Sequence, residues 1–425
     1  MKVLVIGKGG REDALVWKIG KSPLCEKIYC LPGNDGICER EKTTCFPIDT
    51  EDIFELLNFA KKEKIDLTVV GPEAPLVKGI VDLFEKEGLK IFGPKKQAAK
   101  LEGSKIFAKN FMKKYKIPTA QFETFDDYQK AEKFALSHLP CVIKVDGLAG
   151  GKGAIICLEK EKVKKAIEKV MIKKEFGKAG EKVVIEEFLR GQEVSFFILT
   201  DGKKFINLLP VQDHKALYDG DKGPNTGGMG CFCPFHLDEK TQEKIIKEIV
   251  EPTLEGLKKE KIEYKGCLYF GLMLTKEGPK VLEYNCRFGD PELEPQVLLM
   301  KSDLLTILEK VAKGNLEDEI EWEKKYAVCV ILASGGYPQS YEKGKEIKGI
   351  EEVEKMENVV LFKCGVKKEK GVFKTAGGRV LAVTAKAEKL EKAIELAYKG
   401  VEKISFEKMH FRKDIGKRGL SYSLC

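Results

Sequence analysis

Residues 281–292 read V-L-E-Y-N-C-R-F-G-D-P-E, and no other stretch constrains the chain so much. An apolar run, C-L-Y-F-G-L-M-L at 267–274, leads to a turn at Glu277, Gly278 and Pro279 and returns through Val281 and Leu282. That pattern predicts a pair of antiparallel strands. Side chains alternate faces along a strand, so Glu283, Asn285 and Arg287 share one face. A carboxylate, an amide oxygen and a guanidinium together suit a magnesium nucleotide: hard oxygen ligands for the metal, a fixed cation for phosphoryl charge. Asp290 and Glu292 add two acids on the tight turn that follows. Solvated charge on a strand edge is the plain alternative for any one of them. A whole cluster beside an almost uncharged strand argues against it.

Upstream, residues 1–100 alternate strand and helix patterns. V-L-V-I at 3–6 predicts a buried parallel strand, followed by G-K-G-G-R-E at 7–12 and a helix to about Ile19. A second strand at 27–31 ends near Asn34, and a third at 67–70 ends at Gly71, Pro72 and Glu73. This predicts a doubly wound α/β unit, in which ligands sit at the carboxyl ends of the strands. Gly9, Gly10, Asn34 and Gly71 all fall at that edge. The glycine turn lacks the third glycine of a dinucleotide fingerprint, with Glu12 in its place, and no acid clearly closes the second strand. A monophosphate at the helix N-terminus is the better expectation.

A second glycine loop, K-V-D-G-L-A-G-G-K-G at 144–153, lies between two strand-like runs. Its glycines, Gly150 and Gly151 among them, let backbone amides wrap phosphate oxygens, and Lys144 and Lys152 supply charge. It is not a Walker loop: Gly153 stands where Ser or Thr is required, and a strand follows in place of a helix. Downstream, Glu186 and Glu187 begin a segment running to Leu189 that offers backbone groups to an adenine edge, with Glu193 near the ribose hydroxyls. Asp213, His214 and Lys215, with G-P-N-T-G-G-M-G at 223–230, form a glycine-rich polar loop of the kind that binds ligands; Asn225, Gly227 and Gly228 lie in it.

The chain has 425 residues, enough for two to four domains. The pattern divides it at about residues 104, 119, 190 and 325, a multidomain α/β and α+β fold. Its 75 basic and 67 acidic residues, net +8, are interspersed, with no basic and aromatic stripe for nucleic acid. Thirteen cysteines include no C-x-x-C; Cys231, Cys233 and His236 lack a second pair at zinc spacing and read as structural. Met1 leads straight into a strand, and no apolar run spans a bilayer. A cytoplasmic protein with reduced cysteines and no membrane partner is the expectation.

V-V-G-P-E-A-P-L-V-K at 69–78, L-E-G-S-K at 101–105, the 223–230 loop, N-C-R-F-G-D-P-E and R-K-D-I-G at 412–416 together resemble the glycinamide ribonucleotide synthetases (phosphoribosylamine–glycine ligases), a family of ATP-grasp enzymes. The resemblance covers essentially the whole chain. It implies an N-terminal substrate domain, a central domain and lid that clasp ATP, and a small C-terminal domain. It implies that glycine is phosphorylated by ATP to glycyl phosphate and then captured by 5-phosphoribosylamine. Lys105, Lys144, Gly150, Gly151, Lys152, Glu186, Glu187, Leu189 and Glu193 would bind ATP. Glu283 and Asn285 would hold Mg2+ or Mn2+. Asp213, Lys215, Arg287 and Asp290 would stand where glycine and the transferring phosphoryl group meet. Gly9, Gly10, Arg11, Glu12, Gly71, Pro72, Glu73, Asn225, Gly227, Gly228 and Arg379 would bind substrate. The implied protein is a monomer or weak homodimer with small-molecule partners only.

Two departures matter. The family usually has Asn and His where this chain has Lys8 and Asp13. Lys8 would attract a substrate phosphate, and Asp13 would oppose it if it faced the same way. In addition, the strand at 267–274 supplies no acid for a second metal. The nearest rival is another ATP-grasp carboxylate–amine ligase or a biotin carboxylase. A nicotinamide-dependent oxidoreductase rests on the first glycine turn alone, and a nucleic-acid binder on net charge alone.

Overall fold

The computed structural model describes residues 1–150, 152–317 and 319–420. Its first sheet holds five parallel strands in the spatial order Thr43–Cys45, Lys27–Pro32, Lys2–Gly7, Leu67–Val70 and Ile91–Phe92. Val3, Leu4, Val5 and Ile6 are all fully buried. Helices cover both faces, so these strands read as continuous apolar runs rather than alternating ones. The strand order reverses between Lys2–Gly7 and Leu67–Val70, which opens a crevice at their carboxyl ends. The glycine turn at 7–10 and the Gly71 turn border that crevice.

A four-stranded antiparallel sheet follows, in the order Phe205–Asn207, Gln192–Thr200, Gly266–Thr275 and Gly278–Asn285. Phe196, Ile198, Leu268, Phe270 and Leu272 bury its inner face. In its last pair Tyr269 lies opposite Asn285 and Gly271 opposite Glu283. The glycine leaves room beside the acid: a Cβ at position 271 would sit 3.2 Å from Glu283 Cγ.

Between Thr119 and Leu189 the chain builds a separate small sheet, ordered Phe122–Phe125, Val183–Glu187, Cys141–Val145 and Ala154–Cys157. It has its own core of Ala131, Ala135, Ile143, Val163 and Ile167. This unit, with its own core and two chain crossings, is the segment expected from the sequence as the lid. A last antiparallel sheet runs Gln212–Asp213, Gly230–Cys233, Tyr326–Ala333, Arg379–Ala387 and Val359–Lys363, with the helix Leu390–Lys403 packed on it. This sheet takes strands from both sides of Tyr326, so the polar loop at 223–230 is anchored to the C-terminal strands.

The expectation of wholly reduced cysteines fails at one place. The short helix Asp35–Cys38 turns back toward Thr43–Cys45, bringing the Cα atoms of Cys38 and Cys45 to 5.6 Å, and the two are joined by a disulfide. The other described cysteines are free and buried. Among the described residues, no helix is long and apolar enough to cross a membrane.

Candidate active site

A cleft of about 420 Å3 opens where the N-terminal sheet, the lid, the central sheet and the C-terminal sheet meet. Glu283 lies at its floor, with its carboxylate 3.7 Å from Lys105 Nζ and 3.9 Å from Lys215 Nζ. Burial alone would raise the Glu283 pKa, but the charges of Lys105, Lys215 and Lys144 pull it down to about 2. It is a carboxylate throughout the physiological range. Asn285, two residues on, is buried and accepts a hydrogen bond at Oδ1 from Arg287 Nη2 at 3.2 Å.

Arg287 is held from several sides. It reaches Glu73 at 3.3 Å and Glu102 at 3.0 Å, and it donates to the Phe288 carbonyl. Burial opposes its charge, yet Glu102 and Glu73 more than restore it, so the guanidinium stays charged. Glu102 is itself fully buried; burial pushes its pKa up, while Arg287 and the Cys286 amide at 2.7 Å hold it down in part. Glu73 ends below its ordinary value because Arg287 and Arg11 outweigh its burial.

On the lid side, Lys144 Nζ lies 2.9 Å from Glu186 and donates to the Leu282 carbonyl at 2.8 Å. Gly150, Glu187 and Leu189 line the same wall. On the opposite wall Lys215 lies 3.5 Å from Glu193. Asp213 is half-buried beside it, its pKa driven up by desolvation and then by the charge of Glu292. Glu292 accepts from Ser195 Oγ at 2.9 Å, and Ser195 pairs with the Tyr269 hydroxyl at 2.9 Å. Arg379 forms a 2.8 Å ion pair with Asp290 and donates to the carbonyls of Gly227 and Asp290.

Most residues singled out from sequence therefore converge. Arg11, Pro72, Glu73, Lys105, Lys144, Gly150, Glu186, Glu187, Leu189, Glu193, Asp213, Lys215, Asn225, Gly227, Glu283, Asn285, Arg287, Asp290 and Arg379 all line the cleft. Gly151 lies outside the described residues.

Others stand behind it. The Glu12 carboxylate accepts from the amides of Lys8 (3.2 Å) and Gly9 (2.7 Å) and pairs with Arg11 at 2.6 Å. A Cβ on Gly71 would lie 2.1 Å from Glu12 Oε1, so glycine there admits the acid. Gly9 and Gly10 face Asp290 and Glu294 in the same way, and Gly228 faces Pro291 and Asp213. Lys152 reaches across to the Pro338 carbonyl at 2.7 Å.

Asp13 does not oppose Lys8. It is fully buried, paired with Arg40 at 2.7 and 2.8 Å, and accepts the Lys363 amide at 2.7 Å. His214 is buried and kept neutral, its pKa lowered to about 3 first by burial and then by Arg418 and Arg412. It contacts the Gly230 carbonyl at 3.1 Å and supports the loop. Glu102 and Tyr269 are cleft residues that sequence patterning missed. Glu102 lies near the end of the helix Lys96–Gly103, with no local sign of its partner, and Tyr269 sits in an apolar strand.

The donor set fits a hard divalent cation: an ionised carboxylate and an amide oxygen, both facing the cleft. Among the described residues no group of three or more His, Cys, Asp or Glu gathers as a metal cage. That fits an ion completed by phosphate oxygens and water, as magnesium prefers.

Three family profiles match the chain: "Phosphoribosylglycinamide synthetase, N domain" over residues 1–102, its "ATP-grasp (A) domain" over 103–293, and its "C domain" over 327–418. A phosphoribosylamine–glycine ligase of Caldanaerobacter subterraneus subsp. tengcongensis is 50% identical over 98% of this chain and 99% of its own length. One from Clostridium acetobutylicum is 47% identical over 98% of this chain and its full length. The crystal structure of a phosphoribosylamine–glycine ligase from Thermotoga maritima superposes with a TM-score of 0.84 at 36% identity, covering 98% of this chain and 100% of that one. A biotin carboxylase domain from Hydrogenobacter thermophilus shares the fold, with a TM-score of 0.74 at 15% identity over 96% of this chain and 91% of that one.

Proposed function

The chain belongs to the phosphoribosylglycinamide synthetase family, and on that footing we propose how its cleft carries out the family's reaction. The activity is ATP-dependent ligation of glycine to 5-phosphoribosylamine, giving glycinamide ribonucleotide, ADP and phosphate in purine biosynthesis. In the first step a glycine carboxylate oxygen attacks the γ-phosphorus, and the bond to the β-phosphate oxygen breaks. In the second, the sugar amine attacks the carbonyl carbon of glycyl phosphate; the C–O bond to phosphate breaks and the nitrogen loses a proton.

One observation carries the assignment of roles: Lys105, Lys144, Lys215 and Arg287 surround the Glu283–Asn285 strand within a single cleft. Bringing a carboxylate to a polyphosphate sets like charges about 4 Å apart, a repulsion of about 4 kcal/mol per unit pair at an effective dielectric of 20. Fixed cations offset it without reorganising. Glu283 and Asn285 would hold Mg2+ or Mn2+, and the bound ion would neutralise charge on the β- and γ-phosphates. The lid residues 144–153 cover the nucleotide and exclude water from the acyl phosphate. Asp213 and Asp290 lie on the glycine side, and Asn225, Gly227 and Arg379 face the phosphoribosyl side. Gly9, Gly10, Glu12, Gly71 and Gly228 shape that side from behind.

We divide the chain into 1–104 for substrate, 105–119 with 191–325 for the ATP-grasp centre, 120–190 for the lid, and 326–425. We propose that the protein works as a monomer or weak homodimer in the cytoplasm. The test is phosphate release with glycine against bicarbonate or formate. ADP formation should require glycine, and ribonucleotide product should require phosphoribosylamine as well. Glycine-independent turnover would contradict the reading.

A further inference from the structure

A buried lysine behind the cleft has no part in the roles given above. Lys109 lies on the helix Lys105–Lys114, one turn beyond Lys105, and is 2% exposed. Its ammonium sits 3.1 Å from Glu186 Oε1 and donates to Thr119 Oγ1 at 2.6 Å. Thr119 in turn donates to the Val281 carbonyl at 2.6 Å. The other oxygen of Glu186 faces Lys144 at 2.9 Å. A single carboxylate is thus shared by two ammonium groups, of which only Lys144 lines the cleft.

The connections are as telling as the charges. Thr119 lies on the first chain crossing into the lid, and Glu186 on the strand that leads out of it. Val281 and Leu282 come directly before Glu283 on the central sheet. Lys109 therefore ties both lid crossings to the strand that carries the metal ligands, without touching the cleft. A buried ion pair is a poor way to stabilise a core; an apolar side chain of similar volume does as well or better. A charge kept there at that cost has a use.

We propose that Lys109 is a positioning residue for the nucleotide: by sharing the charge of Glu186 and pinning Thr119, it leaves Lys144 free to meet phosphate oxygens and fixes the lid against the metal strand. This rests on the cleft being the ATP site. Without Lys109, the whole charge of Glu186 falls on Lys144 and draws it away from the ligand.

The proton on Lys109 gives a second handle. Burial and the charge of Lys144 lower its pKa to about 8, with Glu186 and Glu187 opposing. The Phe122 ring lies 5.6 Å from its ammonium. A Lys109 pKa lowered to about 8 would let the triad change charge on the alkaline side of neutrality.

The test is Lys109→Met in the full chain, assayed by steady-state kinetics and by equilibrium binding of ADP. The KM for ATP should rise about tenfold, with the glycine KM within about twofold, because one charge-assisted contact is weakened and the glycine side is untouched. The fall in kcat/KM for ATP above about pH 8 in the wild type should vanish in the variant. An unchanged ATP KM, or an equal rise in every KM, overturns the proposal. If Lys109→Met does not fold, Thr119→Val decides: a rise of about twofold to threefold in ATP KM supports the role, and none overturns it. Lys144→Met and Lys105→Met separate the two levels. If neither weakens ATP binding, the cleft assignment fails and the proposal with it. If both do and Lys109→Met does not, only the positioning role is lost.

Discussion

Two regions of the molecule carry dense charge and use it in opposite ways. At the seam between the first sheet and the C-terminal sheet, Asp13, Glu12 and Asn34 each have close partners. Asp13 grips Arg40 through both oxygens, Glu12 is taken up by Arg11 and by two amides of its own loop, and Asn34 Nδ2 donates to the carbonyls of Lys8, Lys363 and Cys364. In the cleft, Lys144, Arg287 and Arg379 are paired at 2.9, 3.0 and 2.8 Å, but Lys105 and Lys215 stay 3.5 Å or more from the acids they face. Pairs within direct hydrogen-bond distance hold a scaffold, whereas cations held off their acids remain available to an anionic ligand. The contrast marks Lys105 and Lys215 as the least committed cations of the cleft.

The largest effect should come from the cleft. Glu283→Gln removes a metal ligand and almost no volume, so kcat should fall by about a thousandfold with the fold intact by circular dichroism. Near-normal turnover would remove the distinction between the regions. Arg287→Met should act on both activity and stability, because it strands the buried Glu102 carboxylate. A loss of about 3–5 kcal/mol in chemical denaturation is expected, largely recovered when Glu102→Gln is added. No recovery would mean that Arg287 stabilises through something other than Glu102.

Asp13→Asn sharpens the other side of the comparison. It should cost about 2 kcal/mol of stability by breaking the Arg40 pair, yet leave the ATP KM unchanged. A large change in ATP KM would show that the seam is not merely a scaffold.

His214 gives a pH test. Its folded pKa of about 3 lies below the ordinary 6.5, so the unfolded chain binds the extra proton. Its contribution to stability is full above pH 6.5 and is lost as pH falls toward 3. His214→Asn should therefore flatten the acid limb of the stability curve by up to about 1.4 kcal/mol per pH unit. The smallest effect is expected of Lys152→Ala. Losing the contact to Pro338 should raise phosphate released per ribonucleotide formed by about threefold, as the lid closes less firmly over the intermediate.

Much of this was legible in the sequence because it is local. The parallel sheet shows itself as continuous apolar runs. Strand alternation alone puts Glu283 and Asn285 on one side, and two glycine loops mark two turns where backbone must come close. What the sequence hides is the partner. Glu102 meets the Cys286 amide across 184 residues, and nothing near Glu102 foretells it. Glu12 and Lys152 sit in loops that look made for phosphate, but in the structure their side chains are engaged by Lys8, Gly9, Arg11 and Pro338. The Cys38–Cys45 link escaped for the same reason: seven residues apart, the two meet only because a short helix folds back on an edge strand.

The central claim is that this cleft joins ATP to a glycine carboxylate before the sugar amine arrives. Turnover with glycine labelled by 18O in its carboxyl group tests it most directly. The account predicts that one labelled oxygen appears in each phosphate released. Phosphate free of label, with the oxygen lost from the labelled carboxyl group found in water instead, would contradict it.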